Sequence, residues 1–146
     1  MKALIQVVEN AKVRVKEKSK GSIGSGMVIF LGIKDGDQPD QLEDLVERII
    51  NLRIFPDEEG KMNLSIKDVQ GEALVVSQFT LYADVSSGRR PGFSKAGDYK
   101  EAESLYKKFV NRLGEELETN VESGEFGSYM KVQLINDGPI TFLVES

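Results

Sequence analysis

The run MVIFLGI, Met27 to Ile33, carries no polar side chain on either side of a pleat. A strand apolar on both faces must be covered on both, so it reads as a buried strand of a core sheet. Two stretches have the period of a helix instead. Leu42, Leu45, Val46, Ile49 and Ile50 predict an amphipathic helix from Pro39 to about Leu52, with Asp37 and Asp40 as cap candidates. Ala102, Leu105, Tyr106, Phe109, Val110, Leu113 and Leu117 predict a second from Tyr99 to about Glu118. Short strands are expected at Ala3 to Val8, Ala11 to Val15 and Met62 to Ile66, and a long central one at Glu72 to Tyr82. Two more, Tyr129 to Ile135 and Ile140 to Val144, are joined by a tight connection at Asn136 to Pro139. Gly21, Gly24 and Gly26 punctuate a turn, and PDEEG, Pro56 to Gly60, marks another. Strands in groups broken by two helices favour one α+β domain over residues 1–146, with a curved, barrel-like, mostly antiparallel or mixed sheet.

The chain has 146 residues, no cysteine and no histidine. Without Cys there is no disulfide framework, which fits a reducing cytoplasm. Without Cys or His a structural zinc site is not expected, and a serine nucleophile activated by histidine is excluded. No apolar stretch approaches the ~20 residues of a membrane helix. The N-terminal MKALIQVVEN reads as a first strand rather than a signal peptide, because Gln6 and Glu9 break its apolar run. Neither helix opens on a glycine-rich phosphate loop, which argues against Rossmann and P-loop nucleotide sites. Carboxylates are abundant, but no spacing singles out a catalytic pair.

The net charge is −5, so any nucleic-acid partner must be met by a local patch. Lys12, Arg14, Lys16, Lys18 and Lys20 alternate, and one strand would place all five on one face. That face is either such a patch or the solvated side of an edge strand guarding against aggregation. Arg89, Arg90 and Lys95 form a second basic group in a loop.

The loop follows the stretch SQFTLYADVSSGRRPGFS, where an apolar strand suddenly offers Ser77, Gln78 and Thr80. Strand parity separates Gln78 and Thr80 from Ser77 and Phe79. All four meet one ligand only if pairing stops there and frees backbone N–H groups, the donors an oxyanion hole requires. Otherwise the polar side chains merely satisfy buried backbone.

Taken together, the motifs resemble the D-aminoacyl-tRNA deacylases. The resemblance rests on ALIQ near the N-terminus, NLRIFPDEEGKMN from Asn51, LVVSQFTLYAD from Leu74, GRRPGFS from Gly88, Phe126-Gly127, Met130 and NDGPIT from Asn136. It spans nearly the whole chain. It departs at Val7, where the family often carries an arginine that holds the Gly-Pro segment, and at Gly92, where a serine is expected. Residues 97–100 also lack the prolines often found there.

The resemblance implies the family's fold and a homodimer with active sites at the subunit interface. The implied partner is a tRNA, bound at its acceptor end with an amino acid esterified to the terminal adenosine. It implies a hydrolase without cofactor or metal, working in the cytoplasm. Phe79 and Thr80 N–H groups would form the oxyanion hole, Ser77 and Gln78 would orient the aminoacyl end, and a ribose hydroxyl of the substrate would help activate water. Gly138 and Pro139, joined by a cis bond and inserted into the partner's site, would reject L-amino acids and let D-amino acids and glycine pass. Arg89 and Arg90 would meet tRNA phosphates. Two other readings remain: a non-catalytic module binding nucleotides or RNA ends on the same fold, and an esterase with Thr80 as nucleophile.

Overall fold

A computed structural model describes residues 1–146. Its spine is β1 (Lys2–Val15), a single strand where sequence patterning suggests two. The exposed Glu9 and Asn10 that interrupt the pattern mark a bend, not a break: the pairing register shifts twice between Gln6 and Asn10. Such irregularities bend a strand and sharpen its twist. Here consecutive Val7 and Val8 are both buried, Val7 in one core cluster and Val8 in another.

The bend lets one edge of β1 serve two partners. Lys2 to Val8 pair antiparallel with β3 (Gly26–Gly32), and Ala11 to Val15 with β2 (Lys18–Ile23). The other edge pairs along most of its length with β8 (Lys131–Glu145). β3 continues the sheet in parallel to β6 (Glu72–Ser77), and β6 in parallel to β7 (Val121–Ser123). β2 curls back toward β7. A Cβ on Gly21 would sit 3.1 Å from Glu122 Cβ and 3.1 Å from the Leu74 side chain, tighter than ordinary contact, so glycine eases the close approach of the curl. The result is a nearly closed mixed sheet, as the patterning suggests.

Both helices pack on the outer face. α1 (Pro39–Asn51) and α2 (Tyr99–Glu116) bury Leu45, Ile49, Phe109 and Leu113 against Ala3, Ile5, Met27, Ile29 and Val75. Val13, Ile23, Val28, Leu74 and Val76 fill the inside of the curl. The run Met27 to Ile33 is therefore covered on both faces, which explains its composition. Asp98 caps α2, accepting from the N–H groups of Lys100 and Glu101. Neither predicted aspartate caps α1. Gln38 occupies that position, its N–H donating to Gln41 Oε1 at 2.8 Å. Asp37 is instead buried, bonded to the Met1 ammonium at 3.0 Å and the Lys34 N–H at 2.9 Å. A small hairpin of β4 (Phe55–Pro56) and β5 (Met62–Leu64) stands apart, and β5 stops before Ile66.

Three further expectations are corrected. The alternating cations do not share a strand. The chain reverses at Lys16 and Glu17, both at positive φ (46° and 65°), leaving Lys12 and Arg14 on β1 and Lys18 and Lys20 on β2. That two-residue geometry matches the twist of a hairpin. The glycine-marked turn shrinks to Gly24 and Ser25, since Gly21 lies in β2 and Gly26 opens β3. Asn136 to Pro139 do not reverse the chain either: both halves of β8 run along β1 in one direction, with the segment bulging out between them. No helix is long and apolar enough to cross a membrane.

Candidate active site

The central strand stops sooner than its composition suggests. β6 ends at Ser77, whose row runs through Leu31 of β3 and Ala3 of β1. The Gln78 N–H makes the last contact with the sheet, donating to the Leu31 carbonyl at 2.8 Å. Residues Phe79–Tyr82 then form one 3-10 turn. The exposed Thr80, against half-buried Ser77 and Gln78, shows the chain lifting off the sheet.

A helical turn leaves its first N–H groups without intrahelical acceptors. The first N–H of this one to find a carbonyl is that of Leu81, 3.3 Å from the Gln78 oxygen. No side chain accepts from Phe79 or Thr80, so two adjacent donors stand free at the lip of the sheet. The Gln78 side-chain amide donates to the Thr80 hydroxyl oxygen and fixes both side chains beside those donors. No lysine or carboxylate is hydrogen-bonded to Thr80, so nothing takes its proton. Two adjacent free N–H groups are able to hold a carbonyl oxygen and to stabilise the charge it acquires when attacked.

The following loop folds back over the turn. Asp84 and Gly92 exchange two backbone hydrogen bonds, 2.8 and 2.9 Å, closing a small ring that carries Arg89 and Arg90. Both arginines are exposed, and neither is paired with a carboxylate. Phe93 leans on Phe79 with ring centroids 5.0 Å apart, tying the GRRPGFS segment to the turn. Lys95 and Gly97 fasten the end of the loop to residues after β3, through Asp35 N–H to Lys95 O (3.3 Å) and Gly97 N–H to Ile33 O (3.1 Å).

Support from behind comes from α2, a contribution sequence patterning misses because Tyr106 reads there as one more residue of an apolar stripe. The buried Tyr106 hydroxyl donates to the Val75 carbonyl at 2.8 Å, two residues before Ser77. Burial pushes that phenol up to about 12, although hydrogen bonds to Ser123 and Gly124 partly oppose the shift. Phe126 packs against Tyr99 and Tyr106, with centroids at 5.2 and 5.4 Å. Tyr82, at the end of the turn, has its phenol raised well above the usual range by burial and by the charges of Asp37 and Glu145. No three carboxylates converge to hold a metal ion.

Gly138 and Pro139 lie elsewhere in the subunit. Their peptide bond is cis. They bulge from β8 between Asn136, opposite Val8, and Thr141, opposite Gln6, whereas the Ser77 row meets β8 at Val144. By standard spacings the two motifs are roughly 14 Å apart across the sheet surface and roughly 13 Å along it. The bulge is closed by its own Asn136. The Asn136 amide donates to Ile140 O at 3.0 Å and accepts from Ile140 N–H at 3.1 Å, standing in for a strand partner. Gln6 adds a bond to Thr141 Oγ1 at 3.1 Å. Val7, where an arginine was expected, is buried in the helix-side core and takes no polar part.

The chain is thus a single α+β domain, a curled and nearly closed mixed sheet with two helices on its outer face. A family model described as D-Tyr-tRNA(Tyr) deacylase matches residues 4–145 of this chain. A D-aminoacyl-tRNA deacylase from Thermosipho africanus (strain TCF52B) is 50% identical over 146 residues, covering 100% of this chain and 97% of its own. One from Thermotoga petrophila (strain ATCC BAA-488 / DSM 13995 / JCM 10881 / RKU-1) is 47% identical over the same span, with the same 100% and 97% coverage. Among solved structures, a c-Myc DNA unwinding element binding protein superposes with a TM-score of 0.94 at 41% identity, covering 100% of this chain and 99% of that one. A probable eukaryotic D-amino acid tRNA deacylase shares the fold at a TM-score of 0.84 and 18% identity, covering 99% and 98%. The chain belongs to the D-aminoacyl-tRNA deacylase family.

Proposed function

We infer that the protein is a D-aminoacyl-tRNA deacylase, an ester hydrolase that frees tRNA and a D-amino acid. The observation that carries the mechanism is the pair of unaccepted N–H groups at Phe79 and Thr80 beside a hydroxyl with no base. The ester carbonyl oxygen sits on those donors, and Ser77 and Gln78 orient the aminoacyl end. Water adds to the carbonyl carbon, and the resulting oxyanion is held by the two N–H groups. The bond to the ribose oxygen then breaks, and that oxygen leaves with a proton. The vicinal ribose hydroxyl of the substrate takes the proton-handling role that no histidine or cysteine here can fill. An aminoacyl ester is already activated, so positioning and charge stabilisation suffice.

Chirality is read by a second copy of the chain. Gly138 and Pro139 of one subunit stand in the partner's site as a rigid wall where an L side chain would point. Support comes from their separation from Ser77 within a subunit, from the Asn136 closure that stiffens the bulge, and from apolar side chains left exposed on the same strand. Ile135 and Leu143 are each 51% exposed and Phe142 is 38%. Covering them fits a homodimer built through β8. Glycine has no side chain to exclude, so glycyl-tRNA also passes the wall. Arg89 and Arg90 meet phosphates near the acceptor end.

The test is deacylation of D-Tyr-tRNA and L-Tyr-tRNA by purified protein, with a chelator control, and of D-Tyr-tRNA ending in 2′-deoxyadenosine. Cleavage of the D ester alone, nearly abolished on the deoxy substrate, is the expected result. Equal cleavage of both enantiomers removes the chiral wall. Full activity on the deoxy substrate with an inert Thr80→Ala establishes a threonine nucleophile instead. A second reading, a non-catalytic nucleic-acid module, is favoured by the name of the 41%-identical structural relative. It predicts tRNA binding with no hydrolysis of either ester.

A further inference from the structure

At the far end of β1 from the Ser77 row, the hairpin tip and the segment 125–131 enclose a cleft of about 450 Å³. Five cations line it, Arg14, Lys16, Lys18, Lys20 and Lys131, against two carboxylates, Glu17 and Glu125. In a chain of net charge −5, this concentrates an excess of positive charge in one concave place. The carboxylates are already used. Glu125 binds Lys20 at 2.5 Å, and Glu17 binds Lys131 at 2.7 Å with Arg14 at 3.7 Å. The Glu125–Lys20 and Glu17–Lys131 pairs cross-link the hairpin to the neighbouring segment, while the Glu17–Arg14 pair lies within the hairpin. Neither Lys16 nor Lys18 forms a salt bridge, although the Lys16 charge reaches Glu125, and the positive-φ turn at Lys16 and Glu17 carries them at its tip. Beside them stands Tyr129, 90% exposed and with no aromatic neighbour.

A solvated strand edge explains scattered lysines. It does not explain a cleft with two uncommitted ammoniums and a bare aromatic ring. Ammoniums for phosphates beside a flat ring for a base or ribose are the ingredients of RNA contact. We propose that this cleft is a second, non-catalytic RNA-binding site that grips the phosphate backbone of the tRNA away from the ester. The inference rests on the reading of the substrate as an aminoacyl-tRNA. A site at this distance contributes to substrate capture and leaves the chemical step alone.

The experiment compares wild type with Lys16→Gln/Lys18→Gln/Tyr129→Ala in two measurements. One is binding of deacylated tRNA between low and moderate salt; the other is steady-state hydrolysis of D-Tyr-tRNA. Each phosphate contact contributes about 0.9 to the slope of log affinity against log salt, so losing two flattens it by about 2. Binding should weaken roughly tenfold or more at moderate salt, with KM raised and kcat unchanged. Equal melting temperatures certify the fold, and Lys16→Glu/Lys18→Glu, with the ring intact, should weaken binding further. Unchanged slope and KM would make the cleft a solvated turn and overturn the proposal. Wild-type binding to phosphatidylserine vesicles undiminished by excess tRNA would assign it to a membrane surface and overturn it too. If wild type does not hydrolyse D-Tyr-tRNA yet the variant still loses tRNA affinity, the deacylase reading fails while the RNA site stands.

Discussion

Replacing Tyr106 by phenylalanine removes one buried oxygen behind the Phe79–Tyr82 turn, and its effect on stability should change sign with pH. At neutral pH the variant loses the 2.8 Å bond to the Val75 carbonyl. That carbonyl still accepts from the Gly124 N–H at 2.9 Å, so no acceptor is orphaned. The cost is then that of an ordinary hydrogen bond, about 1 kcal/mol. The alkaline limb runs the other way. Burial raises the phenol from 10.0 in the unfolded chain to about 12 in the fold. Tyr106 therefore contributes fully below pH 10, and its contribution is lost as pH rises through the folded value. The unfolded chain ionises first, which costs the wild type about 1 kcal/mol by pH 11 and about 2 kcal/mol by pH 12. Phenylalanine has no proton to lose. The two proteins should be equally stable near pH 11, and the variant more stable at pH 12. Urea midpoints of both, measured from pH 7 to 12 at constant ionic strength, provide the comparison. Every other titratable group is common to both proteins and cancels in the difference. A stability gap that stays constant across the range would refute the account of Tyr106 as a neutral, desolvated donor.

Thr80→Ala should keep substantial deacylase activity, because the backbone donors remain; loss of all turnover with binding intact would refute this. Neutralising Arg89 and Arg90 together should weaken tRNA binding and flatten its salt dependence, whereas an unchanged slope with a lower melting temperature would mark them as loop braces. Asn136→Ala removes both bonds across the bulge and should cost about 1–2 kcal/mol by urea denaturation. It should also raise cleavage of L-Tyr-tRNA relative to D-Tyr-tRNA, and an unchanged D/L ratio would detach the bulge from chiral selection. Gly138→Ala places a Cβ 2.5 Å from Ile140 Cγ1 at a backbone φ of 131°, so it should destabilise by roughly 1–3 kcal/mol; a neutral effect on the thermal midpoint would contradict it.

Local patterning made the helices legible because their apolar stripes are long and unbroken. The buried character of Met27 to Ile33 was legible for the same reason. The bend of β1 was not. Glu9 and Asn10 look like a gap between two strands, and only the pairing of each half with a different neighbour reveals one continuous strand. The same holds at Asn136 to Pro139, where turn-forming residues produce a bulge because β1 holds both flanks in register. The end of β6 was hidden by composition, since Phe79, Leu81 and Tyr82 are strand-like residues that the lifting chain folds into a 3-10 turn. Ser77, Gln78 and Thr80 still stood out as polar intruders on an apolar strand. Tyr106 and Asn136 did not, because one looks like core and the other like a turn until their hydrogen bonds are seen.

The pairing of β1 with β8 also governs how the molecule can be made. The first strand has its longest partnership with the last, so the decisive contacts join residues more than a hundred positions apart. Topologies of that kind fold slowly, because loop closure precedes any gain from the contact. Until β8 arrives, β1 presents 14 residues with one edge unpaired, a template for association with other chains. The charged residues at its far end and the bend at Glu9 and Asn10 make that edge a poor template during the wait. The strand that finally covers it also delivers Gly138 and Pro139. A chain truncated before β8 therefore lacks both a sealed sheet and the Gly138-Pro139 bulge, and under the proposed function completion of the fold and acquisition of stereochemical discrimination become one event.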